Sequence, residues 1–420
     1  MNDNNEKIAI RAMEAVGMLL LPLQQALFAK EVNWAGIAFW VIVWSSVMGV
    51  FFFIFREEKH AKKAVPSTGR KQRVKAATRS GTAATGSQTS PQSIRRGFML
   101  VLGAALCWSV SNILLRITAS KLPASSGFDI ALINYLVAAI FLILASWIVC
   151  RVKDQPFHLP PMRNVATFGI VAAAKGINTY SWILAVTLIS AASAATLEGL
   201  HVVFTVAMLL ALRVKAPTGS WITSLASSAI LVVGVVLILG LPVAGSGLAA
   251  WTGILLGIIS AFSFSVFYVL WQRTGARPEA AGPRILEIGI LLLVATVCLF
   301  PIHVVVNTLW WKAPLVLFGT MDWGDIGIQV ACGLIGIGVT YYLINESLLH
   351  MKGHKLCRLL LGIGLSYSVP FTMILETLFL GLTPRFEQWL GAFLFAVAFA
   401  AIFKDMREAV VKQVSVISHA

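Results

Sequence analysis

Three ionisable residues stand in runs of sequence that are otherwise apolar or weakly polar: Lys175 in VAAAKGINTYSWILAV, and Glu198 and His201 in SAASAATLEGLHVVFTV. A cation, an anion and an imidazole held together can grip a zwitterionic solute, exchange a proton with it, or simply join two helices as a static ion pair. Each is expensive in lipid: a charge near the bilayer centre costs at least about 2.5–3.5 kcal/mol, so it must face protein or water. The two runs meet at a turn near residue 189, with Lys175, Glu198 and His201 at comparable distances from it. At about 1.5 Å of rise per residue, Lys175 and Glu198 differ in depth by roughly 7–8 Å, which a lysine side chain largely covers, and His201 is nearly level with Lys175. The expectation is a polar cluster at a cavity. Around it the sequence offers Trp108 and Asn112, Asn178 and Tyr180, Phe264 and Tyr268, and Tyr341, Tyr342 and Asn345. Aromatic faces with a few amides suit an amphipathic organic solute, although each aromatic taken singly also serves as helix packing or as an interfacial belt.

The remaining chemistry-bearing residues form no recognisable site. Glu287 and Glu376 are each a proton site, or a carboxylate satisfied by a neighbour. His350 and His354 share a helical spacing, but they sit beside Lys352, Lys355 and Arg358, a poor setting for a metal. Cys107, Cys150, Cys298, Cys332 and Cys357 are scattered singly, without metal or redox spacing. Phosphate loops and nucleophile elbows are lacking. No catalytic residue, metal or cofactor is therefore assigned, and the chain is not read as an enzyme.

The elements that must position these residues follow from composition. Of 420 residues, 58% are hydrophobic and only 12% charged, with a mean hydropathy of +0.83, more apolar surface than a soluble chain can bury. Runs of about 20 apolar residues recur, the length a helix needs to cross a bilayer. Helices are required because lipid offers no partner to a backbone amide, and the alternating pattern of a barrel is missing. Ten core spans are expected at 98–118, 127–150, 164–186, 190–212, 220–241, 249–271, 285–306, 326–348, 356–380 and 387–404, preceded by one at 35–55. Residues 7–30 read as an interfacial amphipathic helix, with a cleaved signal peptide as the alternative.

Charge sets the orientation. Segment 56–97 carries eleven Lys and Arg against two Glu and no apolar period, a disordered basic linker expected in the cytoplasm. Counting onward, the loops on the same side (151–163, 213–219, 272–284 and 349–358) and the tail hold fourteen basic residues, whereas the opposite loops hold four: Arg116, Lys121, Lys312 and Arg385. The net charge of +15 is thereby explained by lipid head groups, and no nucleic-acid partner is expected. The domains expected are 1–55, an amphipathic segment with an extra membrane helix; 56–97, the linker; 98–241 and 249–405, two five-helix halves; and 406–420, a cytoplasmic tail.

The two halves repeat weakly. Residues 106–115, LCWSVSNILL, resemble 262–271, FSFSVFYVLW, and 176–181, GINTYS, are echoed by 336–342, GIGVTYY. Because five crossings are an odd number, the second copy enters from the opposite face, an inverted repeat with a site expected at mid-depth between halves.

Over residues 97–405 the sequence resembles the drug/metabolite transporter superfamily, in its EamA-like ten-helix branch. Three stretches carry the resemblance: Ala104-Ala105-Leu106-Cys107-Trp108-Ser109 with Asn112; Ser190-Ala191-Ala192-Ser193-Ala194-Ala195-Thr196-Leu197-Glu198; and Tyr342-Leu343-Ile344-Asn345 followed by Leu382-Thr383-Pro384. Gly199 stands where that family commonly has proline. Arg213-Val214-Lys215 replaces its Gly-Glu helix ending, which is missing before Leu382 as well. The resemblance implies ten helices in two EamA repeats and movement of small metabolites.

The sequence thus reads as an all-α polytopic membrane protein, with two inverted-topology five-helix repeats plus one extra N-terminal transmembrane helix. The expected function is secondary transport, as an exporter, of small organic metabolites such as amino acids or related amphiphiles. It would work by alternating access across the cell (inner) membrane. The expected partners are the lipid bilayer and a small-molecule substrate, with proton coupling open and the oligomeric state not specified. The alternative is a non-transporting membrane protein, either an intramembrane enzyme acting on lipid-linked substrates or a membrane scaffold.

Overall fold

In a computed structural model the described residues are 91–119, 121–123, 126–158, 165–211, 221–240, 247–274, 280–306, 308, 321–351 and 357–417. The expected front span at 35–55, the segment 7–30 and the linker to residue 90 lie outside them. Among the described residues the chain is helical throughout: α1 Pro91–Ala119, α2 Gly127–Val152, α3 Val165–Leu188, α4 Ala191–Glu198, α5 His201–Ala211, α6 Trp221–Leu239 and α7 Leu248–Thr274. There follow α8 Ala281–Val306, α9 Trp323–Cys332, a π-helical segment Gly333–Val339, α10 Thr340–His350, α11 Cys357–Ser366, α12 Ser368–Leu380 and α13 Phe386–Ile417. Three of the ten core spans are each made of consecutive pieces: α4 with α5, α9 through α10, and α11 with α12. Eight of the helical stretches are long and apolar enough to cross a membrane. In α6 the apolar stretch is shorter, Ser224–Leu239, and α3 carries Lys175, Asn178, Thr179, Tyr180 and Ser181 in its middle.

Two boundaries differ from expectation. Helix α1 begins at Pro91, inside the expected linker, because proline is pre-organised for a first helical turn and Gln92, Arg95 and Arg96 are adequate helix formers. Helix α13 runs on to Ile417, through most of the expected tail, since lipid thickness limits only the apolar stretch of a helix and not its polar continuation.

Packing repeats across the two halves. The third span of the first half, α3, lies along α7, the first span of the second; correspondingly α1 lies along the span made of α9, the π segment and α10. The two second spans, α2 and α8, pair with each other, as do the two fifth spans, α6 and α13. Exchanging the halves exchanges these contacts, which is the signature of a pseudo-two-fold repeat. The close approaches are made at glycines: a Cβ on Gly391 would lie 2.7 Å from the carbonyl oxygen of Gly234, and one on Gly234 2.8 Å from that of Gly391. Gly253 and Gly257 of the GxxxG on α7 similarly admit Leu188, Ile189 and Leu197.

The fourth span of each half is broken, α4 from α5 at Gly199-Leu200 and α11 from α12 at Tyr367. Both breaks are held in the same way. His201 carbonyl oxygen accepts from Thr205 Oγ1 at 2.7 Å and from Ser265 Oγ on α7 at 2.7 Å. Ser368 carbonyl oxygen accepts from Thr372 Oγ1 at 2.7 Å and from Ser109 Oγ on α1 at 2.8 Å. Ser109 and Ser265 occupy the same place in the repeated decapeptide.

Candidate functional site

A cavity of about 360 Å³ opens between the halves, within the range of small-molecule sites. Helical period selects its walls. On α1 it takes Trp108, Ser111 and Asn112; on α3, Lys175, Thr179 and Trp182; on α7, Phe264, Phe267, Tyr268 and Trp271; on α10, Tyr341, Ile344, Asn345 and Leu348. Each set follows the i, i+3, i+4, i+7 spacing of a single helix face. The broken fourth span contributes Ala195, Glu198 and His201, successive i+3 positions of one face, together with Gly199 at the break.

The charged cluster is a relay. Lys175 Nζ donates to Asn178 Oδ1 at 2.7 Å, and Asn178 Nδ2 lies 3.2 Å from Glu198 Oε1 and 2.9 Å from Ser260 Oγ on α7. The ammonium also sits over the rings of Phe264, Phe267 and Tyr341, at 4.9, 5.8 and 5.9 Å from their centroids, so part of its lost hydration is replaced by π density. Its backbone is fixed by Tyr135, whose hydroxyl donates to Lys175 carbonyl oxygen at 2.7 Å and contacts Thr179 Oγ1. His201 Nδ1 lies 2.9 Å from Glu198 carbonyl oxygen, and its ring meets Phe264 edge-on at 4.6 Å and Phe399 at 5.6 Å. Lys175, Glu198 and His201 are all buried. Several buried polar atoms on the wall find no protein partner among the described residues: Asn112 Oδ1, Trp182 Nε1, and both Asn345 Oδ1 and Nδ2. Orphaned buried groups of this kind are rare and costly unless water or a ligand meets them.

Of the residues expected from sequence, Trp108, Asn112, Lys175, Glu198, His201, Phe264, Tyr268, Tyr341 and Asn345 line this one cavity. Asn178 stands behind the wall as the link between Lys175 and Glu198. Tyr180 and Tyr342 do not line it. Tyr180 is five residues past Lys175, about 140° around the helix, and its ring lies by Gly127 of α2. Tyr342 follows the lining residue Tyr341 by one position, so it points into the packed core. Sequence reasoning missed Trp182 and Phe267, which helical spacing from Lys175 and Phe264 would have found. It also missed Arg284, which stands on the cavity wall near the start of α8 with Glu287, a residue weighed only as a proton site or a satisfied carboxylate, and the π segment, whose Gly336 backs on Ser111 of α1 closely enough to exclude any Cβ.

The cavity is lopsided. On one side it reaches Trp271, Arg284, Leu348 and Leu361, close to the helix ends that carry most of the basic loop residues. At the other end the α3–α4 turn is clamped from two helices. Arg116 Nη1 on α1 donates to the carbonyls of Val186 and Thr187, at 2.5 and 2.9 Å. Glu376 Oε1 on α12 accepts from the amides of Ala191 and Ala192, at 2.7 and 3.2 Å. A cation thus caps the C-terminus of α3 and an anion the N-terminus of α4, each complementing the helix dipole it faces.

Compared with known proteins, residues 95–240 match the EamA-like transporter family; the second half lies outside that match. A solved structure titled "Crystal structure of protein" is 17% identical, the alignment covering 73% of this chain and 95% of that one with a TM-score of 0.48. No curated protein matches the chain.

Proposed function

With residues 95–240 an EamA-like unit of the drug/metabolite transporter superfamily in a multi-pass membrane protein, we propose that the chain is a secondary transporter. It moves a small organic zwitterion or related amphiphile across the cell membrane by alternating access. The observation that carries this reading is the cavity between halves, where the Lys175–Asn178–Glu198 relay and the orphaned Asn345 and Trp182 groups converge on one face. Lys175 offers a carboxylate its counter-charge, Glu198 offers an ammonium its own, and the rings of Phe264, Tyr341 and Trp108 enclose the apolar part. The polar cluster lies at mid-helix depth rather than at the head-group level, which favours transport over an intramembrane enzyme. On this reading the cavity gives onto the end bearing the basic loops, the Arg116 and Glu376 contacts hold the other end, and rocking of the halves reverses the two. Sided cytoplasmic loops would make this the inward-facing form of an exporter.

The test is uptake into proteoliposomes, screened across metabolite pools with and without a pH gradient. Wild-type protein should concentrate or equilibrate at least one zwitterionic solute. Lys175→Met and Glu198→Gln at matched expression should abolish that uptake; undiminished activity in both variants retires the site.

A further inference from the structure

The wall of the cavity carries charge at two depths. Besides the Lys175–Glu198 pole there is a second at the mouth, where Arg284 and Glu287 of α8 both line the cavity. Their i, i+3 spacing puts them on one side of the helix. Glu287 is buried to 5% exposure and accepts from Trp271 Nε1 at 3.3 Å. A continuous aromatic ladder on α7 joins the poles. Lys175 Nζ lies over Phe264; Phe264 and Phe267 have centroids 5.5 Å apart; Phe267 stacks on Trp271 at 5.2 Å; and Trp271 meets Glu287. From Phe264 to Trp271 is seven residues of helix, about 10 Å of travel.

We infer that Arg284, Glu287 and Trp271 form a second recognition subsite, and that the solute is two-headed: a zwitterionic group at each end of an apolar body long enough to span the ladder. The inference rests on the transporter reading and adds the substrate class to it. Each pole offers one cation and one anion, so each complements an ammonium and carboxylate borne together. The aromatic ladder between them offers no charge and suits methylene or aromatic matter. A solute with a single head engages one pole and leaves the other without a solute group. Among the described lining residues the formal charges balance, Lys175 and Arg284 against Glu198 and Glu287, which disfavours solutes of large net charge of either sign.

A matched pair of probes isolates the second head. Diaminosuberate and α-aminooctanoate have the same eight-carbon chain and differ only in whether the far end bears an amino acid group. Binding to the full-length protein in nanodiscs is read from tryptophan fluorescence, since Trp108, Trp182 and Trp271 all line the cavity. Wild-type protein should prefer diaminosuberate by about tenfold or more, the equivalent of roughly one additional charge-assisted contact. Glu287→Gln and Arg284→Met should each bring that preference below about threefold, with thermal unfolding of the nanodisc-embedded variants reporting that they are folded. Equal binding of the two probes by the wild type overturns the inference and leaves transport standing. A preference that survives both substitutions overturns it as well, because the second head then binds elsewhere, and so does binding of neither probe. Failure of the transport reading has a different signature, the absence of any solute from the uptake screen.

Discussion

Replacing Glu376 by glutamine should open the end of the cavity that is now closed. The carboxylate is buried and accepts two backbone amides at the first turn of α4, at 2.7 and 3.2 Å. The glutamine amide keeps an acceptor oxygen and nearly the same volume, so the change removes charge and little else. A charged acceptor at a partly buried helix N-terminus is worth up to about 2 kcal/mol through the dipole, and a hydrogen bond to a charged group exceeds a neutral one by about 1 kcal/mol. Together these bias the closed arrangement by about 2–3 kcal/mol, so its loss should raise the population open at that end by roughly 30- to 150-fold. Ala195 lies on the cavity wall four residues into α4 and is buried, which makes it a reporter for that side. In the Ala195→Cys background, a membrane-impermeant thiol reagent applied from the side of the α3–α4 turn should react faster by that factor when Glu376→Gln is added. Reactivity from the opposite side should fall. If the rate from the turn side is unchanged while the protein melts at its usual temperature, the carboxylate is a static cap and the clamp is no gate.

Four other substitutions test the framework. Asn178→Leu removes the bridge between Lys175 and Glu198 together with the contacts to Ser260, leaving two buried charges poorly met. It should lower unfolding stability by about 3–5 kcal/mol and abolish uptake, and a variant melting within a degree of wild type would contradict the relay. Gly391→Val forces a side chain against the backbone of Gly234 and the side chain of Leu237, which should cost about 1–3 kcal/mol or more in thermal unfolding of detergent-solubilised protein. Ser109→Ala and Ser265→Ala each remove one donor from a broken fourth span, and should destabilise by similar amounts, about 0.5–1.5 kcal/mol each; one large and one negligible effect would refute the equivalence of the two breaks.

How much of this was legible in the sequence varies with the physics involved. The crossings were readable because lipid imposes both length and apolarity, so α2 and α8 fall within a few residues of expectation. Lys175, Glu198 and His201 were readable for the converse reason: a buried charge in an apolar run must be paired or hydrated. The amide Asn178 was assigned to the wall but acts behind it, since spacing cannot say which of two neighbouring polar residues faces a void. Tyr180 and Tyr342 lie off the cavity wall, a matter of helical angle that aromatic type alone does not report. Glu376 was seen as a lone carboxylate, and Arg116 only as a loop charge, because their partners are backbone groups of another helix, which no side-chain pattern encodes.

The same blindness hides how symmetry is used. At both broken spans a serine of the repeated decapeptide and a threonine one turn on converge on a single carbonyl, of His201 in one half and Ser368 in the other. The residue whose carbonyl is used is free to be of any type, so the repeat is invisible where it is structurally strictest. The two residues that clamp the α3–α4 turn have no ionisable counterparts in the repeated sequence. In the register that equates Ser109 with Ser265, Arg116 falls opposite Gln272. In the register that equates Ser368 with His201, Glu376 falls opposite Leu209. On the proposed transport reading, equivalent anchors at both breaks are what exchange of conformation between the halves requires. A clamp whose Arg116 and Glu376 are not repeated in the other half would make two such states unequal in free energy. Symmetric hinges with an asymmetric clamp are sufficient for a carrier that rests open toward one side and must gain differential binding energy from its solute to turn toward the other.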